Sequence, residues 1–217
     1  MARYENGVET REKIIAACRK LFYEKGYAQT TFLDICKEAH VNQGSIYYHF
    51  REKAELYRVV EQQENQRNLE AARKFLPKDV PAYLELAFDI YIYWCHFFTD
   101  EGYRRFVTTP SPLPYAQLSD YQHYWNHLAA FIPNFDAFYQ AHMLDFTVCS
   151  GLDEQLTYYL ADHLGEHSPE QIAEYEIRTF LCIFQLDKSI IESILKDVRR
   201  ILQSAAPLTE ALSNQTK

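Results

Sequence analysis

Hydrogen-bonding and aromatic side chains are concentrated in residues 41–50, which read VNQGSIYYHF. At helical spacing, Val41, Ile46 and Phe50 lie on one side, and that side can be buried. The opposite side carries five groups that can donate or accept hydrogen bonds: Gln43, Ser45, Tyr47, Tyr48 and His49. A short helix with one buried apolar face and one exposed hydrogen-bonding face fits the major groove of DNA. The alternative interpretation is a polar surface turn that contains tyrosines.

The elements before this segment must position it. Residues 10–25 carry an apolar stripe at helical spacing and are followed by a glycine, the residue that most readily ends a helix. A second helix is predicted at 31–38, where Thr31 and Asp34 have the spacing of a capping box. Asn42 can then cap the third helix with its side-chain oxygen. Two short helices joined by a tight turn within about 20 residues form a helix-turn-helix.

The charge of the chain is unevenly distributed. The net charge is −8, which by itself argues against binding to nucleic acid. Residues 1–60, however, contain 10 Lys and Arg against 8 Asp and Glu, a net charge of +2, whereas the other 157 residues contain 12 against 22, a net of −10. An acidic body repels phosphate, so any contact with DNA is expected at the N-terminal end.

The composition predicts an all-α fold. The 217 residues are 47% hydrophobic with only 6 Gly and 8 Pro, and apolar residues recur at helical spacing. The five cysteines are scattered without a CxxC pair, which favours buried thiols in a reducing compartment. There is no apolar leader and no run of about 18 apolar residues, so a cytoplasmic protein without membrane contact is expected.

Further helices are predicted along the rest of the chain, at about 53–75, 81–99, 115–132, 135–164 with an interruption near Ser150 and Gly151, 170–185 and 188–203. The helix at 81–99 is apolar nearly all round, as expected of a central buried helix. The aromatic residues around it can fill a core or line a pocket, and we expect both. The residues predicted to contact an apolar or aromatic ligand are Phe88, Tyr91, Trp94, His96, Tyr121 and Trp125.

Asp120, His123 and His127 lie within about 60° of one another on a helix and could ligate a metal. Their side faces away from the apolar stripe of the same helix, which favours a solvated surface. We therefore predict no metal and no cofactor, and keep a metal site as an alternative.

Residues 10–57 resemble the N-terminal domain of TetR-family (tetracycline-repressor-like) transcriptional regulators. Three pieces follow one another in the family's order and spacing: TREKIIAACRKLFYEKGYAQTT, FLDICKEAHV and NQGSIYYHFREKAEL. The resemblance implies a three-helix DNA-binding domain and a larger helical domain for effector binding and dimerisation. The rest of the chain matches the family only in its length and helical character.

The resemblance also implies roles for individual residues. Gly44 allows close approach of the backbone to DNA, and Thr31 and Lys53 contact phosphates. The residues predicted to bind DNA are Thr31, Asn42, Gln43, Gly44, Ser45, Tyr47, Tyr48, His49 and Lys53. Two positions depart from the family pattern. His40 stands where a turn glycine is usual, and Glu52 replaces the usual Ser or Asn cap of the fourth helix.

The last two helices each carry an apolar stripe. Such stripes suit core packing or a four-helix dimer interface, and the resemblance favours the dimer. The predicted interface consists of Phe180, Phe184, Ile191, Ile194, Val198 and Ile201. A dimer would pair two half-sites about one helical turn apart, because one short helix contacts few bases.

Together with the resemblance, these patterns predict a helix-turn-helix domain at 1–54, an effector-binding and dimerisation domain at 55–206 and a flexible tail at 207–217. The predicted function is a homodimeric, non-enzymatic repressor that a small effector releases from a palindromic operator in double-stranded DNA. A metal-sensing or activating regulator of the same fold is the nearer alternative. An all-α enzyme using Glu85, Asp89 and His96 is the more distant one, since no nucleophile and base occur at a recognisable spacing.

Overall fold

A computed structural model describes residues 2–77, 80–109, 134–185 and 187–215. All regular secondary structure in these ranges is helical, which confirms the predicted all-α fold. No helix among these residues combines the length and the apolar character needed to cross a bilayer.

Four helices make up the first third of the chain: α1 (Ala2–Lys25), α2 (Phe32–Ala39), α3 (Gln43–His49) and α4 (Lys53–Phe75). Helix α1 begins eight residues before the predicted start at residue 10. The bounds of the other three agree with the predicted ones to within a residue or two.

Six further helices follow in the described residues: α5 (Ala82–Thr99), α6 (Glu101–Val107), α7 (Phe135–Ala141), α8 (Met143–Ala161), α9 (Pro169–Ile183) and α10 (Lys188–Gln215). Helix α10 continues past residue 203, where the sequence predicts its end. The predicted helix at 115–132 and most of the loop at 108–114 lie outside the described residues.

The predicted interruption near Ser150 and Gly151 is wrong. Both residues are helical within α8, and the break lies instead at His142, between α7 and α8. Ser150 Oγ donates to the carbonyl oxygen of Phe146 at 3.1 Å, so its hydroxyl is satisfied inside the helix. A single interior glycine costs a helix only about 1 kcal/mol, which the packing of α8 outweighs.

The chain divides into two compact units, one formed by residues 1–66 with 101–117 and the other by 67–100 with 118–217. We call them the N-terminal unit and the C-terminal unit. The division falls inside α4, and α6 belongs to the N-terminal unit although it follows α5 in the chain. The domain boundaries expected at residues 54 and 206 stay predictions.

The core of the N-terminal unit is shared by five helices. Its largest buried members include Phe22 of α1, Ile35 of α2, Phe50 at the end of α3, Tyr57 of α4 and Phe106 of α6. This apolar interior holds α2 and α3 in the helix-turn-helix arrangement.

The C-terminal unit is built around α5, as the sequence predicts. Most of its described apolar side chains are buried and the others are half-buried, and it packs against α9 and α10. Trp94 and Tyr91 are the largest of these buried residues, both with no exposed surface.

Candidate nucleic-acid interface

The start of α3 is fixed by Asn42, as predicted. Its backbone is extended, and its side-chain Oδ1 accepts from the backbone N–H of Ser45 at 2.9 Å. A β-carbon added at Gly44 would lie 3.2 Å from this Oδ1, which is a tight contact. Glycine at this position therefore leaves room for the cap as well as bare backbone on the surface.

Helix α3 has a buried back and an exposed front. Ile46 and Phe50 are buried at 0% and 1% exposure, and they attach the helix to the core. On the front, the side chains of Tyr47 and Tyr48 are 51% and 83% exposed, and Gln43 is also exposed. Ser45 and His49 are half-buried at its edges, so the structure brings the five predicted polar residues onto one short element.

Contacts between neighbours order part of this front. The Gln43 amide donates to the Tyr47 hydroxyl at 3.4 Å, and the Tyr47 ring packs on Phe32 of α2 with centroids 5.3 Å apart. Tyr48 lies edge-on to His49 at 4.9 Å. An amide and two phenolic hydroxyls on one exposed helix face can donate to and accept from base edges or phosphates.

The turn between α2 and α3 is left-handed at His40, where φ is 54° and ψ is 42°. This is the position where the resemblance leads one to expect glycine. The backbone N–H of Val41 closes the turn on the carbonyl oxygen of Cys36 at 3.0 Å. A histidine tolerates positive φ better than most residues but at a cost that glycine avoids.

Thr31 caps α2 through the predicted capping box. Its Oγ1 donates to Asp34 Oδ2 at 2.6 Å and accepts from the backbone N–H of Asp34 at 3.2 Å. The ammonium of Lys25, 2.7 Å from Asp34 Oδ2, together with Thr31 holds the pKa of Asp34 well below its usual range. The hydroxyl of Thr31 is thus already used within α2, and its role on phosphate stays a prediction.

Lys53 is placed differently from what its predicted role suggests. Its Nζ donates to the carbonyl oxygens of Tyr27 at 2.8 Å and Thr30 at 3.0 Å, and it lies 4.1 Å from the centroid of the Tyr27 ring. Burial lowers the pKa of Lys53. Two of its three donors therefore hold the turn between α1 and α2, which leaves one for a phosphate.

Two arginines that the sequence did not single out flank the end of α3. Arg51 follows Phe50 directly and is exposed, and the guanidinium of Arg11 lies 5.3 Å from the Phe50 ring. The net positive charge of residues 1–60 indicates that cations of this segment contact DNA, but it does not say which ones. Only the packing of α1 beside α3 places Arg11 at the end of α3.

The predicted ligand residues on α5 are largely buried, and their polar atoms are bonded within the chain. The Tyr91 hydroxyl donates to Glu170 at 3.0 Å, the Trp94 indole donates to Glu176 Oε2 at 2.6 Å, and His96 Nδ1 lies 2.9 Å from Asn68 Oδ1. Phe88 is 1% exposed. Tyr121 and Trp125 lie outside the described residues, as do Asp120, His123 and His127.

Sequence reasoning named the buried carboxyl Asp89 on α5, but it missed Asp153 and Glu176. Asp89 and Glu176 are each 3% exposed. Burial raises the pKa of Asp89 to about 7 and that of Asp153 to about 7, and it raises the pKa of Glu176 well above its usual range, helped by the nearby charge of Asp153. Among the described residues no group of three or more His, Cys, Asp or Glu is arranged to hold a metal ion.

Most of the predicted dimer residues lie in the interior of one chain. Four of them are buried, namely Phe184, Ile191, Ile194 and Val198, whereas Phe180 and Ile201 are half-buried. Phe184, for example, packs on Phe146 of α8 with ring centroids 4.7 Å apart. Core packing accounts for these four side chains, so a second copy would have to contact the exposed sides of α9 and α10.

Known proteins resemble about a quarter of this chain in sequence and most of it in fold. Residues 14–60 match the family of bacterial regulatory proteins, tetR family. The transcriptional regulator TtgR of Pseudomonas putida is 46% identical over 56 residues, which are 26% of this chain and 27% of TtgR. IcaR of Staphylococcus epidermidis, a negative transcriptional regulator of a biofilm operon, is 46% identical over 48 residues, 22% of this chain and 26% of IcaR.

Those two matches thus span about a quarter of each regulator's length. The fold likeness extends further. The structure of RolR in complex with resorcinol superposes with a TM-score of 0.55 at 14% identity, covering 88% of this chain and 95% of RolR. The helix-turn-helix in residues 14–60 and the helical body after it confirm the expected fold, and the match to the tetR family of bacterial regulatory proteins covers residues 14–60, about a fifth of the chain.

Proposed function

We propose that this protein is a transcriptional repressor that binds an operator in double-stranded DNA as a homodimer and responds to a small-molecule effector. The proposal rests on the exposed polar face of α3, which carries Gln43, Tyr47 and Tyr48. The opposite face is buried in the core through Ile46 and Phe50. The tetR-family match of the same residues, and the description of IcaR as a negative regulator, support it.

Within this proposal the side chains divide into two roles. Gln43 and Ser45 lie in the first turn of α3 and contact base edges, because amide and hydroxyl groups can both donate and accept. Tyr47, Tyr48 and His49 contact the backbone or bases beside them. Arg11 and Arg51 contact phosphates, which fix the register of the protein on DNA.

The partner and effector parts of the proposal rest on different grounds. One α3 helix covers few base pairs, so two copies on a two-fold symmetric operator supply the affinity that a specific site needs. The aromatic C-terminal unit has the composition of a ligand domain, and RolR shows that a protein of this fold can hold a small aromatic molecule. An effector releases the DNA only if it binds the two states unequally. The cytoplasm, where bacterial DNA lies, is the expected location.

Selection of bound duplexes from a random library, followed by fluorescence anisotropy, tests DNA binding. We expect a two-fold symmetric consensus bound by a dimer, as measured by light scattering. Gln43→Ala should weaken that binding by at least about tenfold and relax selectivity at one base position in each half-site. The control is Gln62→Ala, an exposed glutamine on α4, which should leave binding unchanged. Failure of every duplex to be enriched would overturn the proposal.

A further inference from the structure

Helix α6 completes the core of the N-terminal unit from a distant part of the sequence. Phe106 is 1% exposed and lies among the aromatic rings of α1 and α4. Its centroid is 6.2 Å from that of Phe22, 5.7 Å from that of Tyr23 and 5.0 Å from that of Tyr57. The unit that carries α3 therefore includes a helix outside the segment that resembles a DNA-binding domain.

The neighbouring Arg105 binds the end of α1. Its Nη1 donates to the carbonyl oxygens of Tyr23 and Glu24, the latter at 3.1 Å, and its Nη2 contacts Glu101 Oε1 at 2.5 Å. The last carbonyls of a helix have no partner within the helix, and a cation there is favoured by the helix dipole. A single guanidinium thus satisfies two carbonyl groups at the C-terminus of α1 while its own helix holds it in place through Glu101.

The segment that follows this helix end leads directly to the helix-turn-helix. Gly26 has a φ of 82° and its N–H bonds to the carbonyl oxygen of Phe22 at 3.0 Å. The Thr30 hydroxyl donates back to the Gly26 carbonyl oxygen at 2.8 Å, and the N-cap of α2 is the next residue. The direction in which the chain leaves α1 therefore determines where α2, and the α3 packed against it, begin.

We propose that Arg105 is a positioning residue for DNA binding. By holding the C-terminal carbonyls of α1, it sets the path of residues 26–31 and so the placement of α3. This inference rests on the proposed DNA-binding function. It assigns a task to a side chain that lies 45 residues beyond the end of the tetR-family match at residue 60.

The alternative is that α6 only fills space in the core. In that case Phe106 would matter and Arg105 would not, because a surface guanidinium adds little to packing. Phe106→Ala is a poor test, since removing a buried ring can unfold the unit. Arg105 offers a sharper one, because its substitution leaves the aromatic core intact.

The experiment compares Arg105→Ala, Arg105→Lys and Arg104→Ala in the full-length chain. Arg104→Ala removes the same charge from the same helix and controls for the electrostatic contribution to DNA affinity. The measurements are fluorescence anisotropy with the selected operator, circular dichroism to verify folding, and hydrogen exchange at the amides of residues 26–31. We expect Arg105→Ala to weaken DNA binding by about tenfold and to speed exchange at Gly26 and Thr30. Arg105→Lys should recover part of both effects, because one donor remains near the carbonyls.

Equal losses of affinity in Arg104→Ala and Arg105→Ala would overturn the inference, since charge alone would then explain them. Unchanged exchange at residues 26–31 in Arg105→Ala would also overturn it. If the wild-type protein binds no duplex, the proposed function fails and the exchange measurement alone decides whether Arg105 holds the turn. Faster exchange without a change in the amides of Ile14 and Ile15 would then support the positioning role.

Discussion

His40 carries backbone strain at the turn before α3. Its φ of 54° lies in the left-handed region, which costs a residue with a β-carbon about 1 to 2 kcal/mol. Glycine would remove that cost. It would also raise the conformational entropy of the unfolded chain, which lowers the stability of the folded state by about 0.5 to 1 kcal/mol. The first effect is the larger, so the substitution should stabilise the protein.

We therefore expect His40→Gly to raise the free energy of unfolding of the N-terminal unit by about 0.5 to 1 kcal/mol, measured by urea denaturation. The matched control is Lys37→Gly, an exposed residue inside α2. There glycine should lower stability by about 1 kcal/mol, because it loosens a helix. If both variants were destabilised, the strain at His40 would be negligible.

Lys53 is predicted from the family resemblance to contact phosphate, but in the structure it stabilises the turn between α1 and α2. Its ammonium binds the carbonyl oxygens of Tyr27 and Thr30, which the sequence pattern could not indicate because those atoms carry no residue identity. We expect Lys53→Met to keep the packing of the side-chain methylene groups. It should lower the free energy of unfolding of the N-terminal unit by about 1 to 3 kcal/mol, because two carbonyl groups lose a charged donor.

Thermal denaturation followed by circular dichroism would measure this loss. Lys37→Met, which removes an exposed ammonium from α2, serves as the control and should change the melting temperature little. A Lys53→Met protein as stable as the wild type, but with weaker binding to every DNA sequence, would instead assign Lys53 wholly to phosphate.

At the scale of elements, α5 meets acidic side chains from two other helices. The sequence places Asp89 on the polar side of α5, but Glu176 of α9 comes near it, and Asp153 of α8 comes near Glu176, only through folding. Helical periodicity reports which residues share a face of one helix, and it does not report which faces meet. The aromatic character of α5 was therefore predictable, whereas its partners Glu170 and Glu176 were not.

These acids make the stability of the C-terminal unit depend on pH. Burial raises the folded-state pKa of Asp89 to about 7, above its unfolded value near 3.8. Folding then takes up a proton, so stability is greatest below the unfolded pKa and is lost as pH rises from there through the folded pKa. Glu176, whose pKa is also raised, acts in the same direction.

We expect the melting temperature of the C-terminal unit to fall between pH 5 and pH 8, and Asp89→Asn to reduce that fall. At pH 8 the free energy of unfolding should rise by roughly 4 kcal/mol in Asp89→Asn, because the pKa is raised from 3.8 to about 7 and each pKa unit corresponds to about 1.4 kcal/mol. Calorimetry at both pH values would measure it, with Asp162→Asn as a control at an exposed carboxyl after α8. Parallel pH profiles for Asp89→Asn and the wild type would contradict the assignment.

At the scale of the molecule, the sign of the charge separates the proposed DNA-binding end from the rest. Residues 1–60 are net positive and the remainder is net negative, so each cation near α3 should contribute to the salt dependence of DNA binding. Arg51, exposed at the end of α3, is the clearest candidate.

We expect Arg51→Ala to weaken binding to specific and random duplexes alike and to reduce the slope of log K against log salt by about one. Anisotropy titrations at several salt concentrations would measure the slope. Arg200→Ala provides the comparison, because Arg200 is exposed on α10 and pairs with Asp197 of the same helix. An unchanged slope in Arg51→Ala would place this arginine away from phosphate.

Apart from the start of α1, the sequence predicted the ends of the N-terminal helices well because those ends are set locally. Thr31 and Asn42 cap with atoms only three residues away, and a glycine follows α1. Contacts over long separations were not predictable. Nothing in the residues near Phe106 indicates that it packs on Phe22. The burial of Ile191 and Val198 depends on how α10 packs within the C-terminal unit, which the sequence pattern does not report.

The place of α6 in the N-terminal unit has a consequence for synthesis of the protein. Arg105 and Tyr23 are 82 residues apart, so the ribosome must extend the chain well beyond α4 before they can meet. Because the ribosome adds roughly 5 to 20 residues per second, part of the aromatic core of α1 to α4 stays exposed for several seconds before α6 is synthesised. During that interval Phe22 and Tyr57 are expected to stay partly exposed, and the proposed DNA binding is expected only once α6 has left the ribosome.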